Sequence, residues 1–276
     1  MMNSKSMVFV VAAILAVAAV GIVINYGLLD NDSEADKTKI LIQDDEGVYF
    51  WIEGEGDNGF AALDDACEKF DVPLICSDSS FGKSIDSIFG IEMMQVELPS
   101  ESNPYGVYAY WNQYSFIDGE WKANEVSIDS VKTAEVEAIA VVYSSTADVP
   151  LVTPSDAKVW NHSTNGTVFT IESSSGLFFK VNGTGDKVLD AFINATATYN
   201  IPFVPSSTGG IDSIFGIETA QVEPPSEANP YGVWNWWIQK VRTADGTGWE
   251  STTLMMSDIN SSDTSEMKLI YGTETY

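Results

Sequence analysis

Apolar residues between Lys39 and Glu53 gather in two short runs, "KILIQ" (Lys39–Gln43) and "VYFWIE" (Val48–Glu53), on either side of the polar "DDEG". That alternation of β-rich runs and a turn predicts a hairpin. After "GEGD" the period changes. Phe60, Leu63, Ala66, Cys67 and Phe70 recur every three or four residues, which predicts a helix with Asp57 as its cap and Pro73 as its end. Three further strand-like runs follow: "GVYAYWNQYSF", "WKANEVSI" and "VEAIAVVYS".

The pattern then repeats. Ile85–Trp111 and Ile211–Trp237 share 20 of 27 residues, including "IDSIFGIE" and "NPYGV", at a spacing of 126. Upstream, Gly47–Pro73 matches Gly176–Pro202 without a gap at a spacing of 129, with 8 of 27 identical. The second helix carries Leu189, Phe192, Ala195 and Tyr199 after Asp186, and Pro202 closes it. The three-residue difference falls in one loop, where "LICSDSSFGKS" after Pro73 is longer than "FVPSSTGG" after Pro202. The reading is a tandem duplication, with repeat one at 38–147, a Pro-containing linker at 148–157 and repeat two at 158–276. Two strands, a helix and more strands is the order of a β-grasp unit, so the expected fold class is α+β: two tandem β-grasp-like domains, each a mixed sheet with one main helix.

The amino-terminal region has a different pattern. Met7–Leu29 contains no charged side chain, and at about 1.5 Å per residue it would span roughly 35 Å, enough for a bilayer core. Lys5 before it and the acidic stretch at 30–37 after it predict a single-pass anchor with residues 1–6 cytoplasmic and the bulk extracellular. Two other readings stay open. A signal peptide could be cleaved near Ala16–Ala18, or Lys5-Ser6 could be the processing site of a pilin-like subunit.

Charge narrows the partners. Against 13 Lys and Arg stand 40 Asp and Glu, a net charge of −27, which repels nucleic acid and anionic lipid. Enzyme chemistry is not expected. One histidine in the chain leaves little room for a Ser–His or Cys–His pair, the first repeat has none, and no phosphate loop or dinucleotide fingerprint appears. "SFGK" at Ser80–Lys83 spells S-x-x-K without the partner motifs of that enzyme class. No cofactor and no metal site is expected: the shared glutamates Glu92, Glu97, Glu218 and Glu223 match no calcium loop.

Cys67 and Cys76 occur only in the first repeat, and their counterparts by spacing, Thr196 and Pro205, are both non-cysteine. Joint absence in an exterior chain predicts a Cys67–Cys76 disulfide. N-x-S/T triplets at Asn31, Asn161, Asn165, Asn182, Asn194 and Asn260 are glycosylation candidates, five of them in the second half. "NPYG" at Asn103–Gly106 and Asn229–Gly232 is a type I turn signature that opens a strand. One face of that strand carries Val107, Ala109, Trp111 and Gln113, matched by Val233, Asn235, Trp237 and Gln239. The other carries Tyr108, Tyr110 and Asn112, matched by Trp234, Trp236 and Ile238, and reads as the core face. On that reading Trp111 with Gln113, and Trp237 with Gln239, are free to stack on a planar ring or sugar, with Tyr105 and Tyr231 at the turn. The alternative is that both faces are packed.

Hairpin, "G-x-G-D", an "ALDDA"-like helix, "FGKSIDSIFGI" and "YAYWNQY…DGEW" together resemble the transcobalamin C-terminal-like domain, a soluble-ligand-binding β-grasp family, over about 100 residues per repeat. The turn "IDGEW", and "TADGTGW" in the second repeat, is shifted from the family's usual "VNGE" type. The resemblance implies capture of a small ligand, with a corrinoid as the best-known case, and no catalysis. A glycan ligand or a cell-surface protein partner is the other expectation from the aromatic strand. A structural or adhesive surface protein without small-molecule ligand is the rival function.

Overall fold

The computed structural model describes residues 37–146, 149–150, 152–160, 166–227, 229–242 and 248–273. From Thr38 onward the chain forms one compact unit. In the first repeat, strands β1 (Thr38–Gln43) and β2 (Tyr49–Gly54) form the expected hairpin, and helix α1 (Gly59–Lys69) follows. Then come β3 (Leu74–Ser79), β4 (Gly82–Ile88), β5 (Ile91–Glu92), β6 (Met94–Glu97), β7 (Val107–Ile117), β8 (Glu120–Ala123) and β9 (Ala138–Ser144). The second repeat has β10 (Thr167–Glu172), β11 (Phe178–Gly183), helix α2 (Val188–Tyr199), β12 (Phe203–Pro205), β13 (Ile211–Ile214), β14 (Ile217–Glu218), β15 (Ala220–Glu223), β16 (Val233–Arg242), β17 (Trp249–Ser251) and β18 (Glu266–Gly272).

Each repeat contributes a six-stranded sheet, in the order β2-β1-β9-β7-β6 with β8 on β7, and β11-β10-β18-β16-β15 with β17 on β16. The pairs β1–β9 and β10–β18 are parallel. Each repeat also contributes a three-stranded sheet, β3-β4-β5 and β12-β13-β14. The helices pack on strand ends through glycines placed 129 residues apart. A Cβ at Gly54 would lie 2.0 Å from Ala62 O, and one at Gly183 would lie 2.0 Å from Ala191 O. Only a residue without a Cβ permits that approach. Asn58, rather than Asp57, caps α1, accepting from Ala61 N at 3.0 Å.

The octapeptide "IDSIFGIE" is the clasp between repeats. In both copies it forms a two-stranded turn with Phe-Gly at its apex, and both apex residues have positive φ: Phe89 +55° and Gly90 +81°, Phe215 +56° and Gly216 +79°. That is the backbone of a type I′ hairpin, where a bulky residue is strained. The strain is offset by packing across the repeat boundary. Phe89 lies 4.5 Å (centroid to centroid) from Phe178, and Phe215 lies 5.0 Å from Tyr49. Phe89 and Phe215 are equivalent residues, and so are Tyr49 and Phe178, so the contact is reciprocal, as in a twofold dimer. Phe50 and its own equivalent Phe179 stack at 5.3 Å and 20° where the pseudo-twofold axis passes. The four sheets therefore contact one another in a cycle, a propeller-like ring of four blades.

This corrects the expected fold class. The described chain is mostly β, with eighteen strands and two α-helices. The repeats are not two tandem domains with separate cores: one apolar cluster runs from Ile40 and Leu63 through Phe50, Trp160 and Phe179 to Phe192 and Leu269. Part of the stretch expected as a linker is described. Val152 and Ala157 pack on the outer face of the first sheet beside Trp51 and Trp121, and Trp121 Nε1 donates to Val152 O at 2.7 Å.

Two further expectations are corrected. Among the described residues no helix is long and apolar enough to cross a membrane. At 11 and 12 residues, α1 and α2 span under about 20 Å. The single-pass, outward-facing placement is therefore not supported, and Met7–Leu29, on which it rested, lies outside the described residues. Cys67 and Cys76 are free thiols, not a disulfide. Cys67 is buried on the inner face of α1, and Cys76 packs half-buried against the same core from β3. Burial pushes the Cys67 thiol up to about 12 and the Cys76 thiol up to about 11, so neither is primed to ionise.

Candidate functional site: a cleft in the first repeat

The loop that is longer in the first repeat becomes a strand pair. β3 and β4 pair from Leu74–Ile88 out to Ser79–Gly82, with a register shift between Ile75 and Cys76 that adds local twist to the hairpin. Its tip returns to touch the segment after β8. A Cβ at Gly82 would sit 2.6 Å from Ser127 Oγ, and Ser127 Oγ donates to Lys83 O at 2.8 Å. Between this arch and β7 lies a cleft of about 960 Å³, lined from β3–β4 by Ile75, Phe81, Lys83 and Asp86, and from β7 by Tyr110 through Tyr114. Asn124, Val126 and Ser127 close the far side.

Its chemistry is mixed. Ile75, Phe81, Met93, Tyr110 and Val126 are large apolar side chains left in solvent around it, Phe81 at 89 % exposure. The polar groups are mostly committed. Lys83 is bound to Asp78 at 2.8 Å, which raises its pKa and keeps it cationic. Asp86 accepts from Ser77 Oγ at 2.9 Å, and Asn112 Nδ2 donates to Ser144 O at 3.0 Å. Asn124 Oδ1 accepts from Ser115 Oγ at 2.7 Å, but its Nδ2 is a buried donor without a partner among the described residues. Such a donor costs free energy unless something accepts from it.

Trp111 and Gln113 both border this cleft, but the indole is not free to stack. Trp111 is 3 % exposed, donates from Nε1 to Ile91 O at 2.9 Å, and tilts against Tyr143 at 5.3 Å. Trp237 repeats the arrangement at 2 % exposure, with Ile217 O at 2.9 Å and Tyr271 at 5.3 Å. The core face of this strand is thus the one carrying Ala109 and Trp111, while Tyr108, Tyr110 and Trp234 stand in solvent. Gln239 is half-buried, with Oε1 buried and unpartnered. Tyr105 and Tyr231 do not line the cleft and stand 83 % exposed at the "NPYG" tips.

The glycosylation candidates divide. Asn31, Asn161 and Asn165 lie outside the described residues. Asn182 accepts from Tyr199 OH at 3.0 Å, Asn194 accepts from Thr184 N at 3.1 Å, and Asn260 Nδ2 donates to Asp263 at 2.9 Å. Among the described residues no group of three or more acidic, Cys or His side chains is placed to hold a metal ion. Sequence reasoning missed Phe81, Tyr110 and Asn124. The length difference between the two copies was the available signal, because it falls at the arch that makes the cleft.

No protein-family model matches the chain, and no match to a curated protein is found.

Proposed function

We propose that the chain is a binding protein that takes a small, partly apolar ligand in the cleft of its first repeat. The observation that carries this reading is the coincidence, around one cleft of about 960 Å³, of exposed Phe81 and Tyr110 with the unpartnered donor of Asn124. Ligand sites are characteristically concave, mostly apolar and fixed by a few convergent polar groups, and this volume lies within their usual range. The test is titration of the full chain with cyanocobalamin and with a neutral oligosaccharide, the two ligand classes that the sequence motifs imply, read by Trp fluorescence. Phe81→Ala and Asn124→Leu should each weaken the response about tenfold or more. A response untouched by both substitutions, or none to either probe, refutes the cleft.

A second reading, a structural repeat protein without a small ligand, is favoured by one observation: Trp111 and Trp237 are both buried with their N–H groups spent on Ile91 and Ile217. It requires that no probe respond in the titration.

A further inference from the structure

Ten consecutive residues in each repeat stand exposed, Glu92–Glu101 and Glu218–Glu227. Seven of the ten pairs are identical: Glu92, Gln95, Val96, Glu97, Pro99, Ser100 and Glu101 with their counterparts. The segment that supplies β2 and α1, rich in core positions, keeps only 8 of 27. Folding alone predicts the reverse, since exposed substitutions usually cost within about 0.5 kcal/mol while buried ones must preserve volume. Apart from Ser100 and Ser226, whose hydroxyls hold the tips, the exposed arms therefore share more than core packing requires.

The arms end in tips of one build. Asn103 N donates to Ser100 Oγ at 3.1 Å and Asn103 Nδ2 to Gly106 O at 2.9 Å. Asn229 does the same with Ser226 and Gly232 at 3.1 and 2.8 Å. Gly106 and Gly232 have φ of +73° and +71°, and a Cβ on either would lie 2.4 Å from the carbonyl of Glu97 or Glu223. Each rigid tip displays one tyrosine, Tyr105 or Tyr231, after a proline. No Lys, Arg or His occurs in Ile85–Trp111 or Ile211–Trp237, so both arms are purely acidic.

The geometry points to a bivalent docking device: the two tips engage a basic protein that is itself a twofold dimer, each tyrosine entering a cation-lined pocket on one partner subunit. Charge selects the partner, because a second copy of this chain, also at −27, would be repelled. The reciprocal Phe89–Phe178 and Phe215–Tyr49 contacts relate the tips by the pseudo-twofold axis, which matches a twofold partner. Tyrosine is a preferred interface anchor, and two linked sites multiply affinity. This surface is separate from the cleft, so either proposal can fail alone.

The test places benzoylphenylalanine at position 105 or at position 231 of the full chain and cross-links in an extract of the source cells. The expected result is one and the same dimeric protein of basic isoelectric point from both positions, with the product lost when Glu97→Gln and Glu223→Gln are combined. With that protein purified, Tyr105→Ala or Tyr231→Ala alone should weaken binding about 100-fold, the loss of one arm of a bivalent contact. Different proteins from the two positions, an acidic or monomeric protein, a second copy of this chain, or no product overturns the inference.

Discussion

Asp44 sets the pH response of the joint between repeats. It is 1 % exposed in the turn between β1 and β2, where its carboxylate accepts from Val48 N at 2.9 Å, Glu46 N at 3.1 Å and Ser175 Oγ of the other repeat at 2.8 Å. Those bonds favour the charged form, as does Ser173, but burial outweighs them and Glu46 adds repulsion, so the pKa rises from 3.8 to about 6. An acid whose folded pKa is raised contributes most stability when protonated in both states. Stability is therefore highest below about pH 4 and falls as pH rises to about 6, above which the loss is complete. The rise from 3.8 to about 6, at about 1.36 kcal/mol for each tenfold change in acidity, corresponds to about 3 kcal/mol. Asp44→Asn removes the charge while its Oδ1 can still accept from both amides and its Nδ2 can donate to Ser175 Oγ. Urea unfolding of both proteins should give curves that coincide near pH 4 and diverge by about 3 kcal/mol at pH 7, with the asparagine variant the more stable. Comparing the two cancels the general repulsion of an acidic chain, which changes over the same range. A difference that stays constant from pH 4 to pH 7, or a variant less stable at pH 7, refutes the reasoning.

Three other outcomes are expected. A double-mutant cycle on Phe89→Leu and Phe178→Leu should return a coupling of about 1 kcal/mol by chemical denaturation, and one near zero would mean that the clasp does not hold the repeats together. Gly54→Ala should cost more than about 3 kcal/mol in the same assay, because its methyl would meet Ala62 O, and Gly183→Ala should match it in the other repeat. Cys67 should resist a thiol reagent at pH 8 in the folded protein and react only on unfolding, and reductant should leave the melting temperature unchanged.

The local elements were legible because each obeys one period. The hairpin of β1 and β2 and both helices fall where alternation and three-to-four spacing place them. Two features were not legible. Strand β7 is aromatic on both faces, so alternation cannot say which one is buried. The structure buries Ala109 and Trp111 and leaves Tyr108 and Tyr110 outside. The joining of the repeats was hidden for a different reason. Phe89 and Phe215 read locally as ordinary hairpin apolars, and nothing in the chain order says that each crosses to the other repeat's hairpin. Their positive φ, which a phenylalanine adopts only under compensation, is a signal that appears only in three dimensions.

The duplicated clasp explains why one core serves both copies. Within their own repeats, Phe50 meets Phe89 at 6.1 Å and Phe179 meets Phe215 at 6.0 Å. Stacked on one another at 5.3 Å, they close a surface that neither repeat closes alone. A fused pair related by a pseudo-twofold then has freedom that a homodimer lacks, since one copy can change without the other. The first repeat has the longer arch over its cleft, the buried Asp44 and both cysteines, while the second offers serines at 173–175 to that same Asp44 turn. Divergence reaches the cleft and the joint as well as the hairpin and helix, whereas the clasp and the exposed arms stay alike. That distribution is what a fold would show if symmetry were needed for assembly at the tips and asymmetry for a single ligand site.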